Sequence, residues 1–162
     1  MMGRAWVFGD KISTDYIIPG RFNITSDPNE LRKHIFQYAR PEFADKVKPG
    51  DVVIGGKTFG CGSSREHAAI VMRECGIYLI AQSYGWIFRR NCINLGVVPM
   101  ETAEILDVSD GDNVEIDMDK YLLEDITKGK TYSLKPLPSF ILNIHEAGGL
   151  IEYLNKYGTY LK

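Results

Sequence analysis

The chain of 162 residues is short of cysteine, of long apolar runs and of any excess of one charge. Cys61, Cys75 and Cys92 stand 14 and 17 residues apart, and no C-x-x-C pair occurs. An odd count without a loop-rich disulfide pattern points to free thiols in a reducing compartment. The spacing also lacks the nests that hold zinc or an iron–sulfur cluster, and His34, His67 and His145 are scattered. No cofactor or metal is therefore expected in this chain. With 19 basic and 21 acidic side chains the formal charge is −2, which excludes the basic stripe of a dedicated nucleic-acid binder. No stretch approaches the roughly 20 apolar residues that span a bilayer. Residues 1–14 are polar and charged where a secretory leader needs an apolar core, so the expectation is a soluble cytoplasmic protein. The length suits one domain over residues 1–162, and the composition is that of an ordinary globular chain.

Strand and helix signals alternate through the first two thirds. Gly3–Phe8 reads as a strand, Asp10–Thr25 as irregular chain around the Pro19-Gly20 turn. Asp27 as N-cap and Pro28 at the first helical position start a helix. Its apolar face is Leu31, Ile35, Phe36 and Ala39, and Pro41 ends it. After the Pro49-Gly50-Asp51 turn, Val52–Ile54 suits a buried strand. A helix follows with Ala68, Ala69, Val71, Met72 and Cys75 facing inward and Gly76 at its end. Ile77–Ala81 is a strand, Trp86–Leu95 a helix capped by Gly96, and Val97-Val98 a strand. That alternation marks a parallel α/β unit. Val114, Ile116 and Met118 then alternate with acids, as in an antiparallel strand with one wet face, and strands near Tyr121–Ile126 and Thr131–Leu134 follow. Helices at Ser139–Glu146 and Leu150–Tyr157, split by Gly148-Gly149, close the chain. The expected class is α/β with mixed layers rather than a full doubly wound sheet.

Chemistry concentrates in Gly60-Cys61-Gly62-Ser63-Ser64-Arg65-Glu66, between a strand and a helix. Ser63 and Glu66 form a capping-box pattern, and the helix behind them offers unpaired N–H groups and a positive dipole end. Glycines allow close backbone approach, and Arg65 adds a planar fork suited to a carboxylate or phosphate. These features describe an anion pocket with hydroxyls at its floor. The same residues would equally serve as a tight turn before an ordinary capped helix. A dinucleotide loop lacks its third glycine, since position 65 is Arg, and an acid about 20 residues on. A phosphate loop would need Gly where Asp51 stands. Cys61 reads as a small filler and His67 as a packing or solvent residue. Trp86 and Phe88 read as core or interface aromatics, and Arg89 and Arg90 as partner contacts or a solvated helix face.

The run Phe59–Ala69 resembles the small-subunit, or swivel, domain of the aconitase superfamily. So do Phe8–Asp15, Ile17–Gly20, Ile87–Gly96 and Gly148–Tyr153, in the same order along the chain. Within that superfamily the pattern resembles the small subunit of enzymes of the 3-isopropylmalate dehydratase type. The resemblance implies a swivelling β/β/α domain of the aconitase C-terminal type, half of a hydro-lyase that isomerises hydroxy acids by dehydration and rehydration. It also implies a large-subunit partner carrying the [4Fe–4S] cluster. By the same resemblance Ser63 is the base, Asp15 supports it, and Ser64, Arg65 and Gly62 hold a substrate carboxylate. Ile24, where homoaconitase-like members place arginine, suits an apolar substituent such as an isopropyl group, while Arg21 could take an extra carboxylate. Isopropylmalate is thus the expected substrate, with homoaconitate and dimethylmalate as alternatives. A free-standing anion- or nucleotide-binding module is the competing reading from another class.

Overall fold

A computed structural model describes residues 2–22, 24–25 and 27–158. Seven strands form one mixed sheet in the order β4-β3-β2-β1-β5-β6-β7. The parallel half comprises β1 (Met2–Val7), β2 (Val52–Gly55), β3 (Tyr78–Ala81) and β4 (Pro99–Glu101). The antiparallel half comprises β5 (Asn113–Asp117), β6 (Leu122–Asp125) and β7 (Lys130–Ser133).

Strand periodicity explains the layers. Alternate residues of a strand point to opposite faces. Trp6, Val53 and Leu79 join one core with the helices, while Ala5, Val52, Ile54 and Ile80 join a second core with Val114, Ile116, Leu123 and Tyr132. Helices therefore cover one face of the parallel strands. The antiparallel strands curl over the other, giving three layers, β/β/α. Central strands buried on both faces need unbroken apolar runs, as in β2, where every residue is buried.

The helices are α1 (Thr14–Ile17), α2 (Pro28–Arg32), α3 (Phe43–Lys46), α4 (His67–Cys75), α5 (Trp86–Asn94), α6 (Ser139–Ala147) and α7 (Leu150–Tyr157). In α4 the buried residues are the five expected, and Gly76 closes it in the left-handed conformation. Three expectations fail. The helix begun by Asp27, whose carboxylate accepts from Asn29 N–H, stops at Arg32 instead of reaching Ala39. Phe36 has φ +52° and gives its N–H to Ile17 carbonyl at 2.8 Å, so a tertiary bond replaces the helical one. Leu31, Ile35 and Phe36 are all fully buried even so. The strand expected at Val97-Val98 lies two residues on, at Pro99–Glu101. The stretch expected to be irregular holds α1, capped by Ser13 Oγ accepting from Tyr16 N–H, and a 3₁₀ turn at Gly20–Phe22.

Candidate active site

The site forms where the loops after β1, β2 and β3 leave the carboxyl edge of the parallel sheet, a place where α/β sheets characteristically bind ligands. The first two loops stay zipped beyond the strands. Gly56 N–H bonds Gly9 carbonyl, Lys11 N–H bonds Lys57 carbonyl, Gly60 N–H bonds Ile12 carbonyl, and Thr14 N–H bonds Cys61 carbonyl. The third loop joins through Phe59 N–H to Ser83 carbonyl and Gly85 N–H to Phe59 carbonyl. Glycine is required at position 60. Its φ is +76°, and a Cβ there would lie 2.2 Å from the Phe88 ring.

This zipper carries α1 against the serine loop. Thr14 Oγ1 accepts a hydrogen bond from Ser63 N–H at 2.9 Å across 49 residues of sequence. Thr14 itself is buried. A small cavity of about 10 Å³ is lined by Thr14, Asp15, Ile18, Ser63, Arg65 and His67, with Ala68 beside them. Ser63, Asp15 and Arg65 are thus brought together. Gly62, φ +106°, sets the turn into Ser63 but does not line the cavity, and Ser64 is exposed beside it. Ser64 carbonyl accepts from Asn91 Nδ2 at 3.3 Å, tying the loop to α5. Arg21 and Ile24 do not line the cavity either. The Arg21 guanidinium lies 4.8 Å over the Phe22 ring and 5.3 Å over the Tyr38 ring, a cation–π clamp. Ile24 is 93% exposed. Asn23 of the same loop lies outside the described residues.

The capping box is not formed. α4 starts at His67, and Glu66 occupies the cap position without a side-chain bond. Ser63 Oγ instead accepts from Arg65 N–H, two residues on, at 3.2 Å. The reason is the competing tertiary bond: Thr14 holds the Ser63 backbone away from the helix, and the hydroxyl closes a local turn of its own. Charge on Ser63 oxygen would therefore be met by the Arg65 N–H rather than by a helix cap. Beneath the loop, burial pushes the Tyr84 hydroxyl and the Cys92 thiol well above their ordinary ranges, so both stay neutral. Among the described residues no three His, Cys, Asp or Glu side chains converge as a metal would require. Cys75 and Cys92 are buried and Cys61 sits in the loop, so these thiols do not fit an iron–sulfur cluster.

Two residues that tie the serine loop in place were not singled out from the sequence. Thr14 carried a signal only as the neighbour of Asp15. Asn91 carried a clearer one, a polar residue on the helix stripe of Phe88 and Cys92, and it is 1% exposed.

Residues 44–105 match the aconitase C-terminal domain model. The chain is 50% identical over 153 residues to 3-isopropylmalate dehydratase small subunit 1 of Archaeoglobus fulgidus, covering 94% of this chain and 95% of that one. It is 50% identical over 156 residues to the 3-isopropylmalate dehydratase small subunit of Thermodesulfovibrio yellowstonii, covering 95% and 93%. The chain belongs to the 3-isopropylmalate dehydratase small-subunit family. The crystal structure of a 3-isopropylmalate dehydratase protein from Methanocaldococcus jannaschii superposes with a TM-score of 0.92 at 44% identity, covering 97% of this chain and 94% of that one. The small-subunit fold is therefore shared along nearly the whole chain, and the family model spans the loop that carries Ser63.

Proposed function

We propose that this small subunit is the acid–base and carboxylate-binding half of a hydro-lyase interconverting 2-isopropylmalate and 3-isopropylmalate, a step of leucine biosynthesis. It acts as one swivelling unit over residues 1–162 and turns over only when joined to a large subunit. The large subunit holds the [4Fe–4S] cluster, which supplies a Lewis acid at the leaving hydroxyl. The observation that carries the reading is the Thr14–Ser63 hydrogen bond, which sets two motifs 49 residues apart around one cavity.

In this reading Ser63, as alkoxide, removes the proton on the carbon next to a substrate carboxylate. The electrons of that C–H bond form the double bond as the hydroxyl leaves the adjacent carbon. Rehydration with the opposite regiochemistry returns the proton from Ser63 and completes the isomerisation. Negative charge gathers on the carboxylate during proton removal, and Arg65 with the Ser64 hydroxyl meets it. A single fixed donor of this kind is worth about 3–4 kcal/mol. A free hydroxyl is a poor base near neutral pH, so the Arg65 N–H on Ser63 Oγ matters. Asp15, in the first turn of α1, lines the same cavity and is assigned the supporting role beside that base.

Ile24 supports an apolar substituent, because burying an extra carboxylate against it unpaired would cost several kcal/mol. Arg21 is turned onto Phe22 and Tyr38 and would need to leave both rings to reach an acid. The test mixes the purified chain with its cluster-loaded large subunit and follows absorbance of the unsaturated intermediate. Turnover only in the mixture, abolished by Ser63→Ala, is expected. Full turnover of the Ser63→Ala mixture refutes the assignment. Ile24→Arg should shift kcat/KM toward tricarboxylates, and an unmoved ratio refutes the substrate assignment.

A further inference from the structure

A second feature, outside the serine cavity, lies on the outer face of α5. A groove of about 440 Å³ runs between α5, α6 and the start of α7, floored by Trp86, Ile93, Phe140, Ile144 and Leu150. Trp86 is 75% exposed and Phe140 48%, an unusual outlay of aromatic surface for a soluble chain. The pattern follows helix geometry. Trp86 and Ile93, seven residues apart, share the outer stripe of α5, while Phe88, Asn91 and Cys92 form the buried one.

Charge narrows the occupant. Among the described residues the polar lining is Arg89, Arg90 and Asn94, with no acid. Arg89 Nε is 3.3 Å from Glu101, whereas Arg90 is exposed and meets only Asn91 Oδ1, at 3.4 Å, among the described residues. A second copy seated groove to groove would bring basic rims together without an acid to answer them, since a two-fold contact pairs each patch with itself. The groove is also continuous with the catalytic loop. Gly85, just before Trp86, packs so closely that a Cβ there would lie 2.6 Å from Gly60 carbonyl oxygen. Asn91, next to Arg90, holds Ser64 carbonyl. The amino end of α5, which carries Trp86, is thus seated against the catalytic loop that a second subunit has to cover.

We infer that this groove docks the large subunit through an apolar segment bearing a carboxylate, the apolar side chains between Trp86 and Phe140 and the acid on Arg90. The mode is a segment laid in a helix-walled groove, anchored by an aromatic and an arginine, the residue types that dominate interface energetics. This rests on the two-subunit reading above.

The test uses the full chain labelled with 5-fluorotryptophan, whose two tryptophans report separately. Trp6 is 3% exposed and donates Nε1–H to Asp51, while Trp86 faces the groove. On adding unlabelled, cluster-loaded large subunit, the ¹⁹F shift of Trp86 should move and that of Trp6 stay. Trp86→Glu and Arg90→Glu should each weaken assembly about tenfold or more, with kcat returning to the parental value at saturating large subunit. An active complex whose Trp86 resonance is unmoved and whose Trp86→Glu form binds at parental affinity overturns the docking surface alone. Self-association of the isolated chain that is lost in Trp86→Glu overturns it in favour of a second copy. A parental pair that neither assembles nor turns over defeats the two-subunit reading itself, and the inference with it.

Discussion

Replacing Thr14 by Val tests whether catalysis depends on the contact between the two motifs. The side chains are close in shape, so the buried volume survives. Thr14 N–H keeps its bond to Cys61 carbonyl, and the variant removes only the acceptor of Ser63 N–H. One such bond contributes about 1 kcal/mol, and leaving a half-buried donor unmet keeps the cost near about 1–2 kcal/mol. For a chain of this size that corresponds to about 2–6 °C in Tm. The effect on turnover should be larger. Without its anchor the Ser63 backbone is free to relax toward the helix, and a displacement of about 1 Å at a reacting group can cost about 100-fold in rate. Thr14→Val is therefore expected to lower kcat by about 10- to 100-fold in the reconstituted enzyme, with a small loss of Tm. Thr14→Ser, which keeps the hydroxyl, should lie near the parent. A Thr14→Val enzyme with parental kcat and lowered Tm would show the bond to be structural only, and the link between the motifs would lose its catalytic meaning.

Other outcomes follow from neighbouring contacts. Asn91→Ala removes the donor to Ser64 carbonyl and leaves a cavity at a position 1% exposed; it should cost about 1–3 kcal/mol in urea unfolding and lower kcat more than it raises KM. Iodoacetamide at pH 8 should label Cys61 alone in the folded chain. Burial, partly offset by Arg32, pushes the Cys75 thiol up to about 11, and burial pushes Cys92 higher still; labelling of either under native conditions, read by mass spectrometry, contradicts the packing. For Asp110, burial pushes the carboxyl up, but its bonds from Arg40 and Val7 N–H hold it below the ordinary range. The stability it adds is present above the unfolded carboxyl value of about 3.9 and is lost as pH falls through the lower folded value. The Tm gap between parent and Asp110→Asn should thus be open at pH 6 and closed by about pH 2, and a gap independent of pH excludes this linkage.

Sequence alone was enough wherever structure follows from local chemistry. The Asp27-Pro28 start, the inward face of α4 with its Gly76 end, and the alternation in β5 each depend on the 3.6- or two-residue period and on a cap, all visible within one segment. The serine-arginine run could likewise be picked out as a site candidate from the chain, and Asp15 through the family resemblance. Which contacts they make was decided by tertiary structure. Phe36 leaves the helix because Ile17 carbonyl takes its N–H, and Ser63 leaves its cap because Thr14 does the same to its own. The groove beside Trp86 exists only because α5, α6 and α7 meet there. The physical reason is common to all three. A hydrogen bond or an apolar face has several satisfactory partners along the local chain, and only the arrival of a distant segment selects among them.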